Sequence, residues 1–241
     1  MSQPNPHSLQ KIDNLNTAII EPLGEDYLQF DLSFKIIIIG DPGVGKSCIS
    51  VKAIKDKFIE GYETTVGFDF FTYCIKMNDQ IIQLKIWDTC GQEVYRALIH
   101  NFFRNTSLAI LVYSIDNKES FKNLNFWLND LKTQSNPDIK IILIGNKKDL
   151  NEKREVTFEQ GEKFYKEKQF QLFAETSAKT GENIQQIFLE SARILFNDFV
   201  DYNENSRKSS IMSYNHIEKT FDNGTPLPKP NKNTGKKSCC A

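Results

Sequence analysis

Lys35-Ile36-Ile37-Ile38-Ile39-Gly40-Asp41-Pro42-Gly43-Val44-Gly45-Lys46-Ser47 is the stretch that decides the fold. A short β-branched run closing on a glycine reads as a strand buried on both faces, as parallel strands are. Gly40 to Ser47 then matches G-x-x-x-x-G-K-[ST], following a strand and opening a helix, the context that gives the motif its meaning. Glycines let the chain curl so that successive N–H groups face one anion, and the helix N-terminus adds the positive end of its dipole. Lys46 can reach the outer phosphates, and the Ser47 hydroxyl can ligate a Mg2+ ion bridging them. The loop specifies a phosphate binder and leaves the base open.

Outward from this stretch, strand-like and helix-like segments mostly alternate. Strands are predicted at 35–40, 68–76, 81–87, 108–114, 139–145 and 170–174, and helices at 46–56, 119–134, 158–168 and 183–199. Phe121, Leu124, Leu128 and Leu131 recur at helical spacing, as do Ile184, Ile187, Phe188, Leu195 and Phe199, and these stripes are core faces. The alternation predicts an α/β, doubly wound, mostly parallel six-stranded sheet with helices on both faces and ligands at its carboxyl edge. Segments 68–76 and 81–87, joined through Met77-Asn78-Asp79-Gln80, look like a hairpin and would supply one antiparallel edge strand. The domain is expected over 33–200. Residues 1–32, acidic and poor in periodic apolars, are expected to be a disordered arm, with a weak helix allowed around Leu15 to Ile20. Residues 201–241, rich in Asn, Ser, Lys and Pro, are expected to be a flexible tail.

The chain has 241 residues, with 30 basic and 31 acidic side chains and a formal charge of -1, so net charge gives no support to nucleic-acid binding. The polar opening Met1 to Lys11 has no apolar signal core, and no apolar run approaches the roughly 18–20 residues that span a bilayer. Five cysteines at these spacings make no disulfide framework, and two of them are Cys239 and Cys240, beside the last residue. His7, His100 and His216 are too scattered to suggest a metal site. The glycosylation-like triplets beginning at Asn105 and Asn223 carry no weight in a cytosolic chain.

Base identity is read from Asn146-Lys147-Lys148-Asp149, directly after an apolar strand. A carboxylate such as Asp149 accepts two hydrogen bonds and so matches the two donors on guanine N1 and N2, a pair adenine does not offer. Glu175-Thr176-Ser177-Ala178-Lys179 follows the next strand, where a short loop could close over the base. Trp87-Asp88-Thr89-Cys90-Gly91-Gln92-Glu93 lies at another strand end. There Asp88 can hold Mg2+ through water, Gly91 can offer an N–H to a γ-phosphate, and Gln92 can orient an attacking water. Thr64 and Thr65, in a segment without clear periodicity, are candidates for a second Mg2+ contact.

The ordered set GDPGVGKS, TTVGFDF, WDTCGQE, NKKD and ETSAK resembles the Ras superfamily of small GTPases, and VGFDF, QLKIWDT, FFRNTSLAILVYSID and the terminal double cysteine resemble its Rab branch. The resemblance covers about 33–200 and the last three residues. It implies a P-loop NTPase G domain that binds GTP or GDP with Mg2+ and hydrolyses GTP slowly. By matching position, it implies that Gly43, Val44, Gly45, Lys46, Ser47 and Cys48 wrap the phosphates and that Phe58 stacks on the guanine. It also implies that Thr65 and Asp88 face each other across the Mg2+, and that Gln92 is the hydrolytic glutamine. Asn146, Lys147, Asp149, Ser177, Ala178 and Lys179 would form the base pocket, and Phe70, Trp87 and Phe102 the aromatic effector triad. The last is usually Tyr. Pro42, Cys90 and Val94-Tyr95 also depart from the pattern, bearing respectively on hydrolysis, a buried apolar contact and partner identity.

A prenylated C-a-a-X box needs Cys where this chain has Ser238. The terminal Cys-Cys-Ala instead resembles the Rab double-cysteine signal, implying geranylgeranylation of Cys239 and Cys240. Two chains suit stable anchoring, since one binds only marginally. Lys229, Lys232, Lys236 and Lys237 would favour an anionic leaflet. The resemblance thus implies a monomer on the cytosolic face of an intracellular membrane, cycling with the cytosol and serving vesicle traffic. Its implied partners are an exchange factor, a GTPase-activating protein, effectors, a prenylation escort and a GDP-dissociation inhibitor. A GTP-binding scaffold with little hydrolysis and a metabolic P-loop nucleotide enzyme are the competing expectations.

Overall fold

The computed structural model describes residues 20–24, 29–58, 60, 67–77, 79–91 and 102–221. Two units divide the chain, Met1–Phe196 and Asn197–Ala241. The first contains strands β1 (Ile20–Gly24), β2 (Leu32–Ile39), β3 (Phe68–Met77), β4 (Gln80–Thr89), β5 (Leu108–Ser114), β6 (Lys140–Asn146) and β7 (Leu172–Glu175). Its helices are α1 (Lys46–Lys55), α2 (Lys118–Lys122), α3 (Leu124–Gln134), α4 (Phe158–Lys168) and the start of α5 (Ile184–Phe221).

The strands form one seven-stranded sheet in the order β1-β3-β4-β2-β5-β6-β7. β2 lies parallel between β4 and β5, with Ile37 opposite Trp87 on one side and Ala109 on the other. Ile36, Ile37, Ile38 and Ile39 are all fully buried because both faces of this strand are covered. Alternate side chains point to opposite faces. Ile36 and Ile38 therefore join Ile49 of α1 and Ile184, Ile187, Phe188 and Leu195 of α5 in one core. Ile37 and Ile39 join Leu124, Trp127, Leu128 and Leu131 of α3 and Phe164 of α4 in the other. At about 1.5–3 kcal/mol for each fully buried aliphatic side chain, these layers fix the register of β2 and so the point where the phosphate loop begins.

The sequence expectations need four corrections. The sheet has seven strands, because Ile20–Gly24 pairs antiparallel with β3 over Cys74–Met77. The arm is thus not wholly disordered, and Ile20 is a strand residue. An open β3 edge presents unpaired N–H and C=O groups, and β1 satisfies some of them. β3, antiparallel to β4 along its length, is consequently flanked on both sides over Cys74–Met77. Segment 119–134 is two helices meeting at Asn123, which ends α2 and starts α3. In the second unit the backbone stays helical to Phe221, well beyond the expected end at 199. No Gly or Pro interrupts residues 200–221, and the first breakers are Gly224 and Pro226. No helix among the described residues is long and apolar enough to cross a membrane.

Candidate functional site

The carboxyl ends of β4, β2, β6 and β7 lie along one end of the sheet, with β5 between β2 and β6, and each of the four carries one of the marked segments. Gly40–Gly45 leaves β2 with Gly40, Gly43 and Gly45 at φ of 146°, 73° and 95°. At Gly40 a Cβ would stand 2.2 Å from the Val112 carbonyl oxygen, so only glycine lets the loop pass β5. Gly45 is the N-cap of α1 and supplies no side-chain cap. The N–H groups of the first turn are therefore not claimed by a capping side chain, which leaves an anion site.

Lys46, only 5% exposed, follows at once. Its Nζ donates to the carbonyls of Gly40 and Asp41, both at 2.8 Å, using two of its three donors. Burial lowers its pKa to about 8, opposed by the negative charges of Asp88 and Asp41. Asp88 sits opposite Ile38 in the β2–β4 pairing and is completely buried. Burial raises its pKa to about 6, offset in part by the Ser47 hydroxyl and the Lys46 ammonium. Neither Asp88 oxygen has a well-formed hydrogen bond. A buried, under-satisfied carboxylate beside a serine hydroxyl is a hard oxygen donor set, and it fits Mg2+.

This fit has a testable sign. The Asp88 carboxyl titrates near 6 in the folded chain and near 3.8 when unfolded. Its contribution to stability is therefore fully present below about pH 4 and is lost as pH rises through 6. Asp88→Asn should raise the stability of nucleotide-free, Mg2+-free protein at pH 7.5 by about 2 kcal/mol, since the amide must still be buried. The same change should abolish the extra stabilisation that Mg2+ adds to the GDP complex. Thermal denaturation with and without the cation measures both, and an undiminished Mg2+ effect would remove Asp88 from the metal site.

Gly91 is buried against the phosphate loop. A Cβ there would lie 2.4 Å from both the Asp41 carbonyl carbon and the Pro42 nitrogen. Cys90, also buried, donates its N–H to the Gly67 carbonyl at 3.0 Å, tying the two segments that flank the loop. Cys48 is half-buried, and its thiol pKa is pushed up by burial and Asp88 and pulled down by Lys147.

At the base side, Asn146 ends β6 and is buried. Its Nδ2 donates to the Val44 carbonyl at 2.8 Å, while its Oδ1 accepts from Thr176 Oγ1 at 3.1 Å and from the Ala178 N–H at 3.3 Å. One amide thus joins the phosphate loop to the Ser177–Lys179 segment. Lys147 adopts φ 66°, which turns the chain into a 3-10 turn at Lys148–Lys153. Exposed Asp149 accepts from Ser177 Oγ at 2.5 Å. Lys179 pairs with Glu60 at 3.6 Å, and Phe58 lies beyond α1, 37% exposed and outside this hydrogen-bond network.

Phe70 and Trp87 meet edge-on at 5.1 Å between centroids, and Trp87 stacks on Phe102 at 4.9 Å. Phe68, which the sequence reading did not single out, lies 4.5 Å from Phe102 and 5.3 Å from Trp87. Phe68 and Phe70 are 41% and 46% exposed, so the cluster opens to solvent. Thr64, Thr65, Gln92, Val94, Tyr95, Cys239 and Cys240 lie outside the described residues.

The sequence assigns no role to three further contributors. Arg154 donates to both oxygens of Glu175, at 2.5 and 2.8 Å, and so braces the strand end that leads to Ser177. Asp116 stands 3.9 Å from the Lys147 ammonium. Asp41 lies inside the quoted phosphate loop, but its partners, Asn123 and Trp127, are 82 and 86 residues away.

Residues 35–197 match the model of the Ras family. Ras-related protein Rab-4B from Rattus norvegicus, from Homo sapiens and from Mus musculus is in each case 40% identical over 168 residues, which is 70% of this chain and 78% of the relative.

Proposed function

This chain belongs to the Ras family as a Rab-like small GTPase, a GTP hydrolase acting as a switch in membrane traffic, and on that premise we propose how its own residues carry out the cycle. Gly43 to Cys48 wrap the phosphates, with the α1 N–H groups and Lys46 as donors. Ser47, Asp88 and Thr65 hold Mg2+, which when bound neutralises charge on the β- and γ-phosphates. Asn146, Lys147, Asp149, Ser177, Ala178 and Lys179 select guanine, with Phe58 against its face. Asn146 supports this reading most directly, because its single amide links the base segments to Val44 of the phosphate loop.

Water oriented by Gln92 attacks the γ-phosphorus while the bond to the β–γ bridging oxygen breaks, so GDP leaves with that electron pair and the water's proton passes to the released phosphate, the developing charge being met by Lys46 and the Gly91 N–H. The matched motifs contain no arginine finger, so turnover is slow until a GTPase-activating protein supplies one. Thr65 and Gly91 hold their loops only while the γ-phosphate is present, and its release frees both. An exchange factor resets the cycle. Effectors read the exposed cluster of Phe68, Phe70, Trp87 and Phe102. Single-turnover phosphate release from GTP, with ATP giving none, tests the core of this proposal. A metabolic nucleotide enzyme and a non-hydrolysing scaffold are not favoured.

Cys239 and Cys240 carry geranylgeranyl groups that hold the protein on the cytosolic face of an intracellular membrane, and an escort and a GDP-dissociation inhibitor handle the lipidated form. In a eukaryotic cell the full chain should sediment with membranes, while a Cys239→Ser/Cys240→Ser variant should shift almost wholly to the soluble fraction. Equal partition of the two would refute lipid attachment at this pair.

A further inference from the structure

Asp41 makes contacts that the switch reading does not use. Its Oδ2 accepts from Asn123 Nδ2 and its Oδ1 from Trp127 Nε1, both at 2.7 Å. The same residue's carbonyl accepts from Lys46 Nζ at 2.8 Å, and that carbonyl forms part of the wall against Gly91. The next residue, Pro42, has no N–H with which to tie the loop to itself, and it restricts Asp41 to extended backbone. The side-chain carboxylate therefore supplies the anchor that the backbone at this point lacks. The anchor's far end is firm. Trp127 is 2% exposed and sits in the core with Cys90, Phe103 and Leu124, and Asn123 is the junction of α2 and α3.

We propose that Asn123 and Trp127 are positioning residues for the nucleotide, acting through the Asp41 carboxylate to hold the phosphate loop where its carbonyl aims Lys46 and its backbone faces Gly91. The inference rests on the guanine-nucleotide reading of the site and adds a regulatory route. A partner or modification that shifts the start of α3 alters the phosphate loop without touching the nucleotide. Lys46 and Gly91 are the two groups assigned to the outer phosphates, so loosening the brace should weaken GTP more than GDP.

Trp127→Phe keeps an aromatic ring but a smaller one and removes the donor, Asn123→Leu removes the other donor, and Asp41→Asn replaces the acceptor pair. Equilibrium titration of the full-length, Mg2+-containing protein with GDP and with a non-hydrolysable GTP analogue gives the ratio of the two dissociation constants. Each variant should shift that ratio about five- to tenfold against the triphosphate, a fraction of the more than about tenfold that a hydrogen bond to a charged group contributes, because the loosened loop and not the bond itself meets the phosphates. The Asp41→Asn/Trp127→Phe double variant should shift it less than the product of the singles. Lost core packing alone would lower the melting temperature and leave the ratio within twofold of wild type, which would overturn the proposal. If Trp127→Phe does not fold, Asn123→Leu decides by the same ratio. Wild-type protein that binds neither nucleotide would overturn the guanine reading and this inference with it, whereas normal wild-type binding with unshifted ratios would overturn this inference alone.

Discussion

Asp149→Asn should raise the dissociation constant for GDP by about a hundred- to a thousandfold while leaving the fold intact. The carboxylate is an acceptor-only group facing two donors, guanine N1–H and the exocyclic amine, and hydrogen bonds to a charged partner contribute about 1.5–3 kcal/mol each. An amide offers one oxygen in place of two and turns its NH2 toward a donor, leaving both sides unpaired. Stability should change little, because Asp149 is exposed and its recorded hydrogen bond, from Ser177 Oγ, has an acceptor in either side chain. Xanthine carries a carbonyl where guanine has its amine, so the variant should gain affinity for xanthosine diphosphate over the parent. Fluorescence titration with both diphosphates measures the exchange. A variant that keeps parental GDP affinity would mean that Asp149 does not read the base.

Gly91→Ala should slow single-turnover GTP hydrolysis by at least about a hundredfold and change GDP affinity by less than threefold. The new Cβ would meet backbone atoms of Asp41 and Pro42 at 2.4 Å, far inside contact distance, so one of the two segments must move. Asp41 is tied to Asn123 and Trp127, so the segment that yields is the one carrying Gly91 and, after it, Gln92. Displacing a preorganised donor from a developing negative charge costs about 10²–10³ in rate. GDP has no γ-phosphate and should be nearly indifferent. Phosphate release and GDP titration on one preparation separate the two effects, and unchanged hydrolysis would show that Gly91 does not contribute its N–H to the reaction.

The parts of this site that were legible in the sequence are those whose physics is local. Four successive isoleucines demanded a strand covered on both faces, and the glycines after them demanded a curled loop. Asn146 and Asp149 were legible because the base they read presents a fixed donor pattern, and their spacing follows from one turn after one strand. Asp41 was quoted but its role was hidden, because a carboxylate in a turn has many possible partners and its actual ones lie beyond 80 residues along the chain. Phe68 was overlooked for a related reason. An aromatic at a strand start has no periodicity that distinguishes core from surface, and only the positions of Trp87 on the neighbouring strand and of Phe102 give it a place. The polar composition of residues 201–221 argues for a tail, while the absence of Gly and Pro before Gly224 lets the helical backbone run to Phe221.

The N-terminal strand also bears on how this sheet ends. Without it the outer ladder of β3 would be open along its whole length, a ready template for another copy of the chain. β1 covers that ladder over Cys74–Met77, and the register breaks between Pro22 and Gly24. A proline gives the new outermost strand a position with no N–H to offer, and the irregular pairing interrupts the regular spacing a further strand would need. Over Cys74–Met77 the sheet that starts from an unbroken run of isoleucine at its centre therefore finishes on a strand poorly suited to recruit another.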